Sequence, residues 1–340
     1  MNGTSLDALL DRVERAAAVL GDRAERDVAL APLTTYRVGG SAALMARPRT
    51  VADLALVAEA LAVSGLPVLV VGRGSNLLVA DSGFAGLAVS LAHLGADVAA
   101  TMGADPSGPP HQAAQYRVEG TQVVAEAMTA LPQLARRLVA ESLTGFEWAV
   151  GVPGSIGGAV RMNAGGHGSD MQACLVEVEL FDLVNRFHGW VTTGRLGLRF
   201  RGSDLASHQV VVRARIQLAT GDREVAQREL DEIVRWRRER QPGGQNAGSV
   251  FVNPIPGELA AGELIDRVGL RGHRLGTATV SQKHANFIQG GEGGRAADVL
   301  ALIELVRRRV AEETGFELRS EVRLVGFADV PFEDERGVVV

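Results

Sequence analysis

The chain of 340 residues contains a single cysteine, Cys174. A lone thiol excludes an internal disulfide and is the usage of a reducing compartment, so a cytoplasmic location is expected. Charge of one sign is also missing: 35 Lys plus Arg stand against 40 Asp plus Glu, a net charge of -5. That balance excludes a global electrostatic drive toward nucleic acid or anionic lipid and favours a small-molecule partner. Nor is there a clean apolar run. The most apolar stretch, Leu54 to Gly72, is broken by Glu59, Ser64, Gly65 and Pro67, short of the roughly 20 residues a membrane span needs. The opening MNGTSLDALLDRVERAAAVL carries Asp7, Asp11 and Glu14 among its apolar residues, and so reads as an amphipathic helix and not as a signal peptide. The seven histidines show no metal-binding spacing and Cys174 has no partner for a zinc site, so no metal is expected. With 46% hydrophobic and 22% charged residues, the composition is that of an ordinary globular protein of two domains. The one excess is glycine, at 41 residues.

Periodicity supplies the elements. TVADLALVAEALAVSG predicts a helix capped by Thr50 and stopped by Gly65. It lies between a strand in ALMARP and another in PVLVV, a βαβ opening followed by further short strands. The segment 96–120 holds three prolines between Gly103 and Pro110, a surface excursion, before the chain returns to a strand. A helix is expected from about Gln122 to Ser142. The glycine density of 145–171 is expected to forbid regular structure. Strands follow in LVEVELFDL, GWVTTG and HQVVVRARIQLA, then a charged helix from Glu224 to Arg240. A composition shift at 241–248 marks a second domain, with a short helix in AGELIDRVG, a strand-like GTATVSQKHANFIQ, a long helix from about Ala296 to Thr314 and a closing strand in ELRSEVRLVGF. No repeat or heptad pattern is present.

Four motifs stand out. VLVVGRGSNLLV places a Gly-x-Gly turn after an apolar strand, where bare backbone lets N–H groups approach a phosphate. A Gly-rich β-turn would give the same pattern, and neither the dinucleotide fingerprint nor a Walker lysine is there. GVPGSIGGAVRMNAGG has six glycines in sixteen residues, which suits close approach to a flat ring or a pyrophosphate, or a structural loop crossing. Ser249 in AGSVFVNP lacks a nucleophile elbow. Glu321 and Arg323 fall on one face of a strand at period two, as a salt-bridged or solvated pair would. The run RWRRER at 235–240 shares its helix with Glu229, Asp231 and Glu232; it reads as a solvated face that could also meet a nucleotide phosphate.

In this order, TTYRVGG, GRGSN, GFEWAVGVPGSIGGAVRMNAGG, FRGS, AGSVFVNP, AGELID, SQKHANF and SEVRLVG resemble the UDP-N-acetylenolpyruvoylglucosamine reductase family from about Thr34 to Phe327. The resemblance implies an α+β fold: a two-lobed FAD-binding domain of the vanillyl-alcohol-oxidase type plus a smaller α+β substrate domain, in the more compact of the family's subtypes. The divisions would be 1–33 as helix and lead-in, 34–220 for FAD, 221–328 for substrate with the closing strand, and 329–340 as tail. Non-covalent FAD would set its pyrophosphate against Gly72, Arg73, Gly74, Ser75 and Asn76, with its ring near Gly151, Val152, Pro153, Gly154, Ser155, Gly157, Gly158 and Asn163. Tyr36 and Leu77 would complete the cofactor contacts.

The reaction implied is two hydride transfers: NADPH reduces FAD, and reduced FAD then delivers hydride to the enolpyruvyl ether of a UDP-sugar. Arg201 in FRGS and Glu321 in the closing strand match the groups that stabilise the developing charge, and Ser249 matches the proton donor. Arg240, Asn253 and His284 match substrate-contacting positions. The chain departs from the family pattern at Phe200, where tyrosine is usual, at Val252, where a basic residue is common, and at Arg161, where an apolar residue is frequent. A monomer without nucleic-acid or membrane partners is expected. Two other readings share these motifs: a flavin oxidase that uses oxygen, and a non-catalytic paralogue that binds a nucleotide sugar.

Overall fold

The computed structural model describes residues 3–95 and 115–327, so the Gly103 to Pro110 excursion and the 329–340 tail lie outside the described residues. The first part of the chain comprises α1 (Gly3–Leu20), β1 (Ala24–Ala29), β2 (Ser41–Ala46), α2 (Val51–Ser64), β3 (Val68–Val71), β4 (Leu77–Val79) and β5 (Phe84–Ser90). α2 starts and stops where its sequence dictates. Thr50 and Asp53 form a reciprocal capping box, and Gly65 ends the helix in the left-handed conformation. The strands order as β1-β2-β5-β3, with β2 and β3 both parallel to β5. Leu54, Val57, Ala58 and Leu61 of α2 bury with Val13, Ala16, Ala17 and Leu20 of α1 over this sheet.

The second part holds β6 (Tyr116–Glu119), β7 (Gln122–Glu126), α3 (Leu131–Ala140), β8 (Leu143–Thr144), α4 (Ile156–Met162), β9 (Gly165–Gly166), β10 (Ser169–Asp170), β11 (Leu175–Asp182), β12 (His188–Thr192), β13 (Gln209–Gln217), β14 (Ala219–Thr220) and α5 (Arg223–Arg240). Five of these strands build an antiparallel sheet, β12-β11-β13-β7-β6. Two expectations are corrected here. The helix expected from Gln122 to Ser142 is a strand followed by a shorter helix, because Val123 and Val124 pair with Ile216 and Arg215 of β13 and Pro132 sits in the first turn of α3, where proline is tolerated. The glycine-dense segment does contain a helix, α4. Gly157 packs so tightly that a Cβ there would lie 3.1 Å from the Ala127 side chain, so tertiary contact overrides poor helix propensity.

The third part adds α6 (Ala261–Arg267), β15 (Arg274–Leu275), β16 (Ala278–Val280), β17 (Ile288–Gly290), α7 (Ala296–Thr314) and β18 (Arg323–Val325). α7 buries Val299, Leu302, Ile303, Val306 and Val310 at helical spacing against the β15-β16-β17 sheet and α6. Each such side chain contributes about 1.5–3 kcal/mol. The same apolar cluster takes in Tyr36, Val38 and Leu78, so the early TTYRVGG segment and β4 are part of the C-terminal core. β18 then returns to pair in parallel with β4, Arg323 opposite Leu77. Among the described residues no helix is long and apolar enough to cross a membrane.

Gly326 fixes the exit of β18 at φ +78°, where a Cβ would lie 2.0 Å from the Gly83 carbonyl oxygen. Gly326→Ala is therefore expected to lower the urea midpoint, by at least about 2 kcal/mol of stability. An unchanged midpoint would show that the β18 closure bears little of the stability.

Candidate active site

An open cleft of about 730 Å³ runs between the two glycine-rich segments. Gly72, Arg73, Gly74, Ser75, Asn76 and Leu77 line one side; Ser155, Gly157 and Gly158 line the other. The loops are in mutual reach, since a Cβ on Gly154 would lie 3.3 Å from the Ser75 hydroxyl. Gly74 has φ +60° and sits 1.9 Å, at the Cβ position, from the Leu33 carbonyl oxygen, so only glycine fits this turn. Cβ atoms on Gly72 and Gly158 would instead point into the space beside the Ser155 hydroxyl, at 3.7 and 3.8 Å.

Among the described residues, the backbone N–H groups of Arg73, Gly74, Ser75 and Asn76 find no acceptor, and the hydroxyls of Ser75 and Ser155 make no hydrogen bond. Bare backbone and unspent donors along one cleft form an anion-binding concavity. They fit a dinucleotide with its pyrophosphate, and FAD would be held by these two segments.

Other expected cofactor residues are used differently. Gly151, Val152, Pro153 and Gly154 do not line the cleft; Gly151 is packed under α5, its Cβ position 2.9 Å from Ile233. Asn163 is buried in the left-handed conformation. Its amide donates to Asp170 and to the Arg199 carbonyl at 3.1 Å each, and its oxygen accepts from the Gln172 N–H at 2.9 Å. Tyr36 is fully buried in the C-terminal cluster with its hydroxyl unpartnered, and burial pushes its phenol pKa up.

Two of the three groups matched to the chemistry, Arg201 and Glu321, meet beside the cleft, and Ser249 lies on the segment that Glu321 pairs with. The Asn76 amide donates to the Glu321 carbonyl at 2.8 Å, and the Glu321 N–H donates to the Val250 carbonyl at 2.7 Å. Ser249, next in chain to Val250, is half-buried, and its hydroxyl has no partner among the described residues. Arg201 Nε lies 3.7 Å from Glu321 Oε1, the two side chains 24% and 17% exposed. Burial raises the Glu321 carboxyl to about 7, against the opposing pull of Arg201 and then Arg319. Desolvation here outweighs a guanidinium at 3.7 Å.

Arg201 is itself strained. Arg199 and Gly202 exchange backbone hydrogen bonds of 3.0 and 3.1 Å across the Phe200–Arg201 turn, and Arg201 has φ +58°, a conformation that favours glycine. Residues held so cost on the order of 1–3 kcal/mol and cluster at functional sites. The guanidinium also lies over the Phe200 ring at 4.9 Å. Glu321 and Arg323, expected on one strand face, differ in setting: β18 begins only at Arg323, which lines the cleft, while Glu321 pairs with the Val250 segment and faces Arg201.

The substrate-matched residues lie away from the cleft lining. The Asn253 oxygen accepts from the Ala261 N–H at 3.1 Å, at the start of α6. His284 rests on Phe287 at 4.9 Å, its Nδ1 accepts from the Asn286 N–H, and its Cε1 is 3.3 Å from the Cβ position of Gly262 in α6. Burial is the first cause holding the His284 pKa below the usual histidine range. Arg240 is exposed over Trp236 at 5.8 Å, and Lys283, beside His284, donates to the Arg238 carbonyl in the last turn of α5. Sequence reasoning passed over Ala127, Met128, Arg161, Gln209 and Arg323, which also line the cleft. Of these, Arg161 and Arg323 lay within quoted motifs; Gln209 opens β13 and Ala127 and Met128 lie in the turn after β7, placements that carried no local signal. No cluster of three or more His, Cys, Asp or Glu suited to a metal occurs among the described residues.

Arg201→Gly should relieve the turn while removing the ion pair, leaving stability within about 1 kcal/mol of the parent by denaturant titration. A loss of several kcal/mol would mean that the side chain is structural.

The comparisons with known proteins place both sides of the cleft within one family match. Residues 42–184 match the family described as an FAD binding domain, and residues 240–325 match the UDP-N-acetylenolpyruvoylglucosamine reductase C-terminal domain. The chain is 41% identical over 298 residues to the UDP-N-acetylenolpyruvoylglucosamine reductase of Heliobacterium modesticaldum, covering 86% of this chain and 88% of that one. It is 36% identical over 327 residues to the protein of the same description from Methylorubrum extorquens, covering 95% and 98%. The crystal structure of UDP-N-acetylenolpyruvylglucosamine reductase from Thermus caldophilus superimposes with a TM-score of 0.71 at 33% identity, covering 89% of this chain and 99% of that one.

Proposed function

Because the chain belongs to the UDP-N-acetylenolpyruvoylglucosamine reductase family, we infer that it is an FAD-dependent oxidoreductase that uses NADPH to reduce UDP-N-acetylglucosamine enolpyruvate to UDP-N-acetylmuramate in peptidoglycan precursor synthesis. The α+β architecture and the FAD-binding domain expected from the sequence are both present. Its setting is proposed to be a monomer in the cytoplasm, divided into an FAD-binding part at 34–220 and a substrate part at 221–328.

The observation that supports residue roles is the meeting of Arg201, Glu321 and the Ser249 segment at the edge of the glycine cleft. Bound FAD supplies the hydride carrier between NADPH and the enolpyruvyl ether. Arg201 and Glu321 act on the charge that this reduction develops at the substrate carboxylate and the adjacent carbon. The guanidinium is a fixed cation. A carboxyl raised to about 7 by burial is about half protonated at pH 7, and its neutral form donates a hydrogen bond, the device that lowers barriers by meeting charge as it forms. Ser249, with no competing partner, gives its proton to the carbon. The Gly72–Leu77 turn and the Ser155 to Gly158 segment hold the cofactor, with the buried Tyr36 and Asn163 as the frame beneath them. Asn253 and His284, brought together at α6, with Arg240 at the end of α5, bind the UDP-sugar.

The test is an anaerobic absorbance titration: bleach the flavin with NADPH, then add UDP-N-acetylglucosamine enolpyruvate. The yellow band is expected to return without oxygen; return only on admitting air would replace the reductase by an oxidase. In Ser249→Ala, bleaching should proceed while the return slows by at least about 100-fold. A normal return would remove Ser249 from the proton transfer.

A further inference from the structure

A left-handed arginine in a two-residue turn persists only where its surroundings over-determine it. The turn that carries Arg201 is held from one side by the C-terminal end of α4. Asn163 donates to the Arg199 carbonyl, before the turn, at 3.1 Å. After it, the fully buried Ser203 donates its hydroxyl to the Arg161 carbonyl at 2.7 Å. The Arg161 guanidinium then reaches three further backbone oxygens of the same segment: Leu205 at 3.0 Å, Ala206 at 3.2 Å and Gln209 at 2.5 Å. Arg161 also lines the cofactor cleft.

We infer that Arg161 is a positioning residue for the reductive step, its carbonyl and guanidinium together clamping residues 203–209 so that the preceding turn presents Arg201 to Glu321. This rests on the role given to Arg201 above. The planar fork of arginine can serve several carbonyls at once, which an ammonium serves less well and an apolar side chain not at all. Without the guanidinium, the carbonyls of 205, 206 and 209 lose their shared donor, and the segment after the strained turn is left with the Ser203 bond to the Arg161 carbonyl alone. A displacement of Arg201 by even about 1 Å would slow the chemistry by as much as about 100-fold, so the effect of Arg161 runs through Arg201.

The experiment uses the full FAD-loaded chain in the parent form, Arg161→Met, Arg161→Lys, Arg201→Ala and the Arg161→Met/Arg201→Ala double variant. Reoxidation of the NADPH-reduced flavin by saturating UDP-N-acetylglucosamine enolpyruvate is followed anaerobically in single turnovers, with amide hydrogen exchange over residues 202–209 as a second readout. Arg161→Met is expected to speed exchange in that segment and slow reoxidation by about 10–100-fold, and Arg161→Lys to recover part of the rate. In the Arg201→Ala background the added Arg161→Met change should slow reoxidation by less than about twofold, since residues acting as a unit are non-additive. Equal slowing with and without Arg201, or an unchanged rate despite faster exchange, overturns the inference. If Arg201→Ala alone keeps the parent rate, the role of Arg201 fails first and the inference falls with it, a result distinct from additivity. Should Arg161→Met not fold, the same cycle is run with Arg161→Lys.

Discussion

The site depends on the parallel pairing of Arg323–Val325 with Leu77–Val79, locked by the Asn76 amide on the Glu321 carbonyl across 245 residues of sequence. Pairing at such separation is entropically expensive and needs apolar burial to hold it. That burial is at hand: Leu78 and Val322 lie in the same cluster as Val250, Phe251 and the inner face of α7. The strand and its lead-in thus close the fold and set the Glu321 backbone beside the glycine turn, with its carboxyl facing Arg201. Asn286 supports the arrangement from the other side, exchanging hydrogen bonds of 2.9 and 2.8 Å with the Phe251 backbone and so fixing the segment that follows Ser249.

The electrostatics divide by element. Along the glycine turn the unspent N–H groups make a neutral backbone attractive to phosphate without a lysine. At Glu321 burial works in the opposite sense and favours a neutral acid. Arg201 supplies the only oppositely charged contact within 4 Å that the carboxyl has among the described residues, and it does so from a backbone conformation unfavourable to it. Stability is given up at this turn for the placement of a cation, which is the usual trade at functional sites.

Much of this was legible in the residues. Thr50 and Gly65 bound α2 as capping chemistry requires, α7 follows its apolar spacing, and both glycine segments line the one cleft. What escaped was set by tertiary contact. The glycines of α4 read as irregular, because helix propensity does not see Ala127 packed against Gly157. The Gln122–Glu126 strand read as helix, because its partners lie some ninety residues away in β13. Asn163 resembled a cofactor ligand, yet its side chain is spent on Asp170, Arg199 and Gln172. Arg161 appeared only as a departure from the family pattern; its three carbonyl partners come from a loop that no periodicity marks.

The central claim is that the lead into the closing strand sets beside the cleft a carboxyl that burial holds near 7, and the most direct test is the titration of that one carboxyl. In FAD-loaded protein carrying ¹³C-labelled glutamate, the account predicts a carboxyl resonance titrating near pH 7 that is missing in Glu321→Gln. A spectrum in which the resonance lost on Glu321→Gln titrates in the ordinary carboxylate range would contradict it.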